Sequence, residues 1–465
     1  MLMKKLTDIF RTADGKNYLF TFILVSSLFL LWGVCNGLID VLNKHFQNSL
    51  NVTKTQSAFV QMANYMGYFF MAIPSGLLAR RFGYKGGIII GLALIATGAF
   101  WFIPATQIGT YWAFLLGLFI LATGLTCLET IANPYTTVLG PSEFGAARIN
   151  LAQSANGIGW ILGPLIGGRL ILSATDQVNR SNESLYKPYL GIGIVVAVLA
   201  VIFVFARVPD LQAEEECKTE TGNRVSAKPF WKRWHFLLAV AAQFFYVAAQ
   251  TGIFSFFINY IVDHLSHISE GAAKLLNAYA GGLHNAIHLV SAWLADVIPS
   301  TIALPKDGHY FVSEQGASFL LSLGGFLLFL LGRFVGSVAL RFFKAHWTLA
   351  LFSLINILMM ALVVAPLGWI SVMGLFLSFF FMSIMFPTIF ALGIHGLGEQ
   401  TKKASSFIVM AIVGGAIMPM FMGWLADNWG MRIGFVMPLI CFVVIAAYGL
   451  FWRQLEARDV RSSAV

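Results

Sequence analysis

Two carboxylates in this sequence can do chemistry because they fall inside long apolar runs. Asp40 lies in the run near residues 18–43, and Glu129 lies in the run near residues 110–137. An ionisable side chain at bilayer depth is costly and marks a functional site, and exclusion of water favours the protonated form of a carboxyl group. We therefore predict that Glu129 and Asp40 carry a coupled proton. The alternatives are a structural hydrogen bond for Glu129 and a solvated helix end for Asp40.

Amide side chains accompany these carboxylates at helical spacing. Asn36 precedes Asp40 by four residues and Asn133 follows Glu129 by four, which places each pair on one helix face. Amides, carboxylate and nearby aromatic rings suit a neutral polyhydroxylated ligand, although any single amide can instead join two helices. The predicted binding site contains Asn36, Gln61, Asn64, Glu129, Asn133, Gln153, Asn156, Gln243 and Gln250.

The composition requires that membrane helices position these groups. The chain has 465 residues, of which 58% are hydrophobic and only 11% charged, and its mean hydropathy is +0.76. A soluble domain carries about 25% charged residues, so the lipid bilayer is the expected environment. The net charge of +9 lies in short loops and not on a folded basic face, so nucleic acid is not an expected partner.

Twelve apolar runs are long enough to cross a bilayer as helices. They lie near residues 18–43, 56–79, 86–105, 110–137, 149–174, 187–206, 234–262, 315–340, 346–366, 368–394, 404–427 and 433–453. We predict an all-α integral membrane fold with an N-terminal six-helix bundle at 1–206, a cytoplasmic linker at 207–233 and a C-terminal six-helix bundle at 234–465. Most Lys and Arg residues fall on the side of the termini and linker, which predicts that this side is cytoplasmic.

Proline and glycine landmarks recur in the two halves. Pro134 and Gly140 in the first half are matched by Pro387 and Gly393 in the second at the same spacing. This recurrence indicates an old duplication. Two six-helix repeats with a substrate site between them near the midplane are typical of a secondary transporter.

An insertion at about 263–313 interrupts the second half on the outer side. His284 and His288 within it have the spacing of two metal ligands on one helix, but no third ligand accompanies them, so we predict no metal. The stretch from Ala286 to Ile302 is apolar but short for a span. We predict that the insertion forms an outer-face cap or an interfacial helix that modulates access and lies outside the ligand site.

Four stretches of the sequence resemble the major facilitator superfamily, and specifically its fucose/glucose/galactose–proton symporter family. They lie at residues 31–40, 72–88, 128–156 and 386–410. The most specific runs are Leu-Glu-Thr-Ile-Ala-Asn-Pro-Tyr at 128–135 and Asn-Leu-Ala-Gln at 150–153. The resemblance covers nearly the whole chain apart from the insertion at 263–313.

The resemblance implies a monomeric importer of a monosaccharide in a bacterial inner membrane, driven by the proton gradient without a bound cofactor. Glu129 matches the family's proton-linked, sugar-contacting carboxylate, and Gln153 and Asn156 match its sugar-binding amides. The acid of the fucose branch would fall at Gly37, whereas Asp40 matches the glucose/galactose branch. This difference favours a hexose such as glucose or galactose over L-fucose. Sodium is the alternative coupling ion.

Two other functions compete with sugar import. A drug–proton antiporter of the same fold is suggested by the glycine pattern at Gly159, Gly163 and Pro164, but small residues also allow close helix packing in a symporter. The loop between the second and third spans has Arg80 where the superfamily normally has an Asp. A membrane sugar sensor is the second alternative. We do not expect an enzyme, because no catalytic motif lies at membrane depth.

Overall fold

The computed structural model of the protein describes residues 10–11, 16–140, 145–172, 186–206, 208, 230–289, 291, 295–306, 308–395, 397 and 401–461. Long helices account for most of these residues. Among them, the only regular sheet is a two-stranded antiparallel hairpin. The predicted linker at 207–233 lies almost entirely outside the described residues.

The helices of the first half follow the predicted apolar runs closely. In chain order they are α1 (Leu19–Ser49), α2 (Lys54–Ser57), α3 (Phe59–Ile108), α4 (Tyr111–Val138), α5 (Gly145–Leu170) and α6 (Tyr186–Phe205). Helix α3 contains two predicted spans joined at a kink at Gly83, where φ is 69°. Only glycine adopts such a backbone conformation without steric cost, so Gly83 permits the sharp turn between the two spans.

The second half contains the hairpin and the remaining helices. They are α7 (Trp234–His264), α8 (Glu270–His288), β1 (Ala303–Lys306), β2 (His309–Val312), α9 (Glu314–Leu320), α10 (Leu327–Phe342), α11 (Ala345–Val364), α12 (Trp369–Met382), α13 (Met385–Ile394), α14 (Thr401–Met410), α15 (Gly414–Trp429), α16 (Met431–Gly434) and α17 (Val436–Arg461). A π-helical segment, Leu321–Phe326, connects α9 to α10, so these two helices form one span.

Ten helical stretches of the described residues are long and apolar enough to cross a membrane. The two other predicted spans, near 56–79 and 149–174, are also helical, as the first part of α3 and as α5. Both carry several amide side chains, which lower their mean hydropathy. These helices carry the polar groups of the candidate site.

Contacts between Cα atoms divide the chain into two units. The first contains residues 1–42, 63–171 and 176–220, and the second contains residues 43–62, 172–175 and 221–465. The segment 43–62, which includes α2 and the end of α1, therefore groups with the second unit. In the second unit, α7 packs against α13, α15 and α17.

The insertion at 263–313 forms a helix followed by a hairpin. Helix α8 begins at Glu270 and ends at His288, so it covers only the start of the apolar stretch from Ala286 to Ile302, and residues 290 and 292–294 of that stretch lie outside the described residues. The helix begins earlier because the capping side chain of Ser269 accepts a hydrogen bond from the Ala272 amide at 3.3 Å, which satisfies a backbone donor of the first turn.

Candidate functional site

Glycine residues bring α1 and α5 into close contact in the first unit. A Cβ atom added at Gly159 would lie 2.7 Å from the Cα atom of Gly33, and one added at Gly163 would lie 2.7 Å from the Cα atom of Gly37. No real side chain fits at these distances. The two glycine pairs therefore let the backbones cross directly, and the glycine pattern of the fifth span is explained by packing.

Helix α1 directs a ring and an amide toward the second span. The indole Nε1 of Trp32 donates a hydrogen bond to the phenol oxygen of Tyr68 in α3. The Nδ2 atom of Asn36 donates to the same oxygen at 3.4 Å and to the carbonyl of Trp32 at 2.9 Å. A phenol oxygen has two lone pairs and one proton. Because both lone pairs are engaged, the Tyr68 hydroxyl is oriented to donate its proton to another group.

Glu129 lines a small cavity next to this cluster. The walls of the cavity are Leu28, Phe29, Trp32, Leu128, Glu129 and Ala132. Helix α4 thus presents its carboxylate beside the Trp32 indole, and the cavity combines an aromatic wall with an ionisable group.

The amides predicted on the fourth and fifth spans form a hydrogen-bonded chain. The Nε2 atom of Gln153 donates to Asn133 Oδ1 at 3.0 Å, and the Nδ2 atom of Asn156 donates to Gln153 Oε1 at 3.1 Å. A Cβ atom added at Gly33 would lie 2.8 Å from Asn156 Oδ1, so this oxygen points toward α1 next to Trp32. The chain of amides therefore leads to the same part of the first unit as the Trp32–Tyr68 contact.

Two amide oxygens of the first unit are buried without a hydrogen-bond partner in the described part of the chain. They are Asn64 Oδ1 and Asn156 Oδ1. A buried acceptor without a donor costs about 1–3 kcal/mol. Native structures retain such groups chiefly where a ligand, an ion or water completes the bond. We interpret both oxygens as acceptors for hydroxyl groups of a ligand.

Arg148 fixes the junction between α4 and α5. Its Nε atom donates to the carbonyl of Thr136 at 3.0 Å, and its Nη2 atom donates to the carbonyl of Gly140 at 3.3 Å. A guanidinium group near a helix C-terminus satisfies carbonyls that the helix itself leaves unpaired. Arg148 therefore sets the start of α5 and, through it, the positions of Gln153 and Asn156.

Asp40 is buried inside its helix and does not lie at the helix end. Helix α1 continues beyond it to Ser49, and only 2% of the Asp40 surface is exposed. The alternative of a solvated helix-end residue is therefore wrong. Asp40 follows Asn36 at the next helical turn, about 6 Å further along the helix axis.

The three remaining predicted amides belong to the second unit. Gln61 and Gln243 are buried, and Gln250 is partly buried. Neither amide atom of Gln243 has a hydrogen-bond partner among the residues that the structure describes. Gln243 therefore shares with Asn64 and Asn156 the property expected of a ligand-binding amide.

Trp32 and Tyr68 were not among the residues predicted to bind the ligand. The structure joins them by a hydrogen bond and places Trp32 in the cavity wall beside Glu129. The sequence signal that identifies them is spacing, since Trp32 lies four residues before Asn36 and Tyr68 lies four residues after Asn64. Within the described residues, no group of three His, Cys, Asp or Glu side chains is placed to hold a metal ion.

The sequence matches known transport proteins along most of its length. The model of the Major Facilitator Superfamily matches residues 21–412. A glucose/galactose transporter of Brucella abortus is 35% identical over 442 residues, which cover 94% of this chain and 95% of that protein. An L-fucose-proton symporter of Escherichia coli is 35% identical over 472 residues, which cover 96% of this chain and 98% of that protein.

Solved structures show the same fold. The crystal structure of the Escherichia coli fucose:proton symporter has 34% sequence identity and a TM-score of 0.62, with 94% of this chain and 99% of that chain covered. The crystal structure of a D-xylose-proton symporter has a TM-score of 0.58 at 13% identity, with 94% and 97% covered.

Proposed function

The chain belongs to the Major Facilitator Superfamily, in the family of the glucose/galactose transporters and L-fucose-proton symporters, and from this premise we propose that it imports a neutral monosaccharide together with a proton. It is a membrane transporter and not an enzyme. The observation that carries the proposal is the cavity in the first unit where Trp32 faces Glu129.

The polar groups of the first unit suit a sugar in their hydrogen-bonding chemistry. A sugar hydroxyl both donates and accepts a hydrogen bond. Asn64 Oδ1 and Asn156 Oδ1 are available as acceptors among the described side chains, and the Tyr68 hydroxyl is available as a donor. The indole of Trp32 offers an apolar face for the ring carbons. In this proposal Asn36, Asn133 and Gln153 of the first unit also bind the sugar, and Gln61, Gln243 and Gln250 of the second unit are further candidate amides.

In this proposal Glu129 couples the transport of the sugar to the transport of the proton. It lies at the cavity wall, where a bound sugar changes both its hydration and its hydrogen bonds. A protonated carboxyl group donates a hydrogen bond, whereas the ionised group only accepts. Binding of the sugar and binding of the proton therefore favour each other, and Asp40 serves as the second proton-linked carboxylate. The proton gradient supplies the energy, so the mechanism needs no bound cofactor.

The proposed location is a bacterial inner membrane, with both termini in the cytoplasm. The location is supported by the bacterial relatives, and the orientation by the distribution of Lys and Arg. The domain division at 1–206, 207–233 and 234–465 is part of the same proposal, as is a monomeric state. Asp40 supports a glucose- or galactose-type hexose as the substrate.

Transport by the purified protein in liposomes tests this function. Labelled glucose, galactose and L-fucose are offered in turn under an inward proton gradient, and each is repeated with a sodium gradient. We expect accumulation of one hexose above its external concentration, and we expect a protonophore to abolish it. Accumulation that requires the sodium gradient would show that sodium, and not the proton, is the coupling ion. Binding without transport would indicate a sensor, and proton-driven efflux of apolar cations would indicate the antiporter.

A further inference from the structure

Helix α8 of the insertion is attached by one face to the hairpin and to the residues that precede it. The side chain of Asn277 accepts hydrogen bonds from the amides of Ile302 and Ala303 and donates one to the carbonyl of Ala303, each at 2.8 Å. The Nδ1 atom of His284 contacts the carbonyl of Ile298 at 2.8 Å. These contacts fix which face of the helix is turned to the hairpin.

The hairpin is in turn attached to the end of the span formed by α7. The amide of Ile268 donates to the carbonyl of Tyr310 at 2.8 Å, and the amide of Val312 donates to the carbonyl of Leu265 at 3.0 Å. Helix α8 therefore holds a defined position next to the spans and cannot turn about its own axis without breaking these bonds.

The opposite face of α8 is apolar and exposed. Leu275 is 75% exposed, Tyr279 50% and Leu289, which follows the last turn, 89%. At 3.6 residues per turn these positions fall on one side of the helix, together with Gly282 and Ala286. This stripe lies opposite Asn277 and His284, and in water it would expose a continuous row of apolar side chains.

A contact with the neighbouring span sets the depth of this stripe. The ring of Tyr279 lies 5.8 Å from the ring of Phe319, centroid to centroid. Phe319 belongs to the apolar segment Glu314–Gly336, which is long enough to cross the membrane. It lies five residues after the first residue of that segment, which corresponds to about 7.5 Å along the helix axis. Interfacial helices bury their apolar face to about 5–10 Å.

We propose that α8 lies in the membrane interface beside α9 and that the acyl-chain boundary of the lipid covers the stripe of Leu275, Tyr279 and Leu289. The chemistry of the helix fits this environment. Tyr279 has the amphipathic ring that is typical of interfaces. The occupant is lipid and not a soluble protein, because Tyr279 and its partner Phe319 lie alongside a membrane span.

The polar flank of α8 suits the headgroup region. Glu270 and Lys274 form an exposed ion pair at 2.8 Å, and Lys274 lowers the pKa of the Glu270 carboxyl through this hydrogen bond. Asn285 and His288 continue the flank. The insertion is thus a membrane-anchored element beside the spans of the second unit. This placement selects the interfacial helix over the outer-face cap.

Spin labels at single cysteines test this placement in liposomes that contain only the purified protein. Cys35, Cys127, Cys217 and Cys441 are first replaced by Ser or Ala, and sugar uptake confirms that the protein folds. Labels are attached at L275C and L289C on the stripe and at K274C and N285C on the polar flank. Tyr279 is left unchanged because it contacts Phe319.

Collisions with oxygen, which dissolves in lipid, are compared with collisions with a water-soluble nickel chelate. At positions 275 and 289 we expect the label to collide more often with oxygen than with the nickel chelate. At positions 274 and 285 we expect the reverse. Equal nickel access at all four positions would overturn the proposal, because the stripe would then face water. Exclusion of both reagents at 275 and 289 would also overturn it, because protein would then cover the stripe.

Discussion

Two buried polar clusters of this transporter differ in how completely their groups are hydrogen-bonded. In the first unit, Asn64 Oδ1 and Asn156 Oδ1 have no partner within the described residues. At the start of α7 in the second unit, the carboxylate of Asp459 accepts three hydrogen bonds. The donors are the Trp234 amide at 3.1 Å, the His235 amide at 3.0 Å and the His235 Nδ1 atom at 2.7 Å.

The Asp459 cluster has the properties of a structural cap. Its carboxylate satisfies amides in the first turn of α7, which no backbone carbonyl of that helix can do, and a negative charge is favourable at a helix N-terminus. The His235 Nε2 atom contacts the carbonyl of His395 at 3.1 Å, and the Tyr448 hydroxyl donates to the carbonyl of His235 at 3.3 Å. The cluster therefore joins α7, α17 and the end of α13.

The difference indicates which buried polar groups serve structure and which serve the substrate. In a fully paired cluster, hydrogen bonds within the protein offset the free energy lost when the polar groups leave water, and they also hold the helices together. A cluster with unpaired acceptors retains that cost until a ligand donates hydrogen bonds. Substitution in the first unit should therefore change transport, and substitution at Asp459 should change stability.

The largest effect is expected for Glu129→Gln. The glutamine side chain is similar in shape but cannot take up a proton, so accumulation of sugar under a proton gradient should be abolished. Exchange of labelled for unlabelled sugar needs no net proton movement and should continue. Both are measured in liposomes, with thermal stability in detergent as the control for folding. Full accumulation by the variant would show that Glu129 does not carry the proton.

Asp40→Asn should remove most of the active uptake. The residue is buried and the amide cannot ionise, so a proton-linked step at this position is lost. The matched control is Asp263→Asn, since Asp263 is exposed and lies 3.9 Å from Lys54 in a solvent-accessible ion pair. Initial uptake rates of the two variants are compared at equal protein amount. Equal and mild losses in both would remove Asp40 from the coupling mechanism.

Asn156→Leu should weaken sugar binding by about 5- to 150-fold, which corresponds to about 1–3 kcal/mol for one lost buried hydrogen bond. The free energy of unfolding should fall by no more than about 0.5–1.5 kcal/mol, because the hydrogen bond that is lost, from Asn156 Nδ2 to Gln153 Oε1 at 3.1 Å, lies within one helix. The control is Thr97→Val, because the Thr97 hydroxyl donates to the carbonyl of Ala93 in its own helix at 2.8 Å. If Asn156 instead joins two helices, the variant will lose stability and keep its affinity.

Asp459→Asn should have the smallest effect on transport. Asparagine keeps one acceptor oxygen but places its NH2 group against the donors that faced the other, so stability should fall by about 1–3 kcal/mol. The apparent affinity for sugar and the coupling to protons should remain unchanged for each folded molecule. Unfolding in detergent and uptake in liposomes are measured side by side. Glu270→Gln serves as the exposed control and should leave stability and transport unchanged. A changed proton coupling in Asp459→Asn would show that the Asp459 cluster is not purely structural.

The fold class and family that we predicted are confirmed by the superfamily match over residues 21–412 and by the near full-length relatives. These predictions succeeded because membrane helices are encoded locally, in apolar runs about 20 residues long. The glycine pattern around Gly159 also had a local explanation in small-residue packing, and the structure places Gly159 against Gly33.

The site itself was predictable only in part. Periodicity placed Asn36 and Asp40 on one face of α1, and it placed Glu129 and Asn133 together on α4. It could not distinguish paired from unpaired amides, because Gln153 and Gln243 have the same chemistry and a similar apolar setting in the sequence. Gln153 lies in a hydrogen-bonded chain, whereas Gln243 has no partner among the described residues.

The sequence by itself determined that the chain spans a membrane and where its helices run, since hydropathy and helical period depend on neighbouring residues. Only the tertiary structure decided that the Tyr68 oxygen accepts hydrogen bonds from both Trp32 and Asn36. It also decided that Asn156 points toward Gly33 and that α8 turns Leu275 away from the hairpin. These arrangements join residues far apart in the chain. They depend on how closely two helices approach, and that distance is set by packing and not by local sequence.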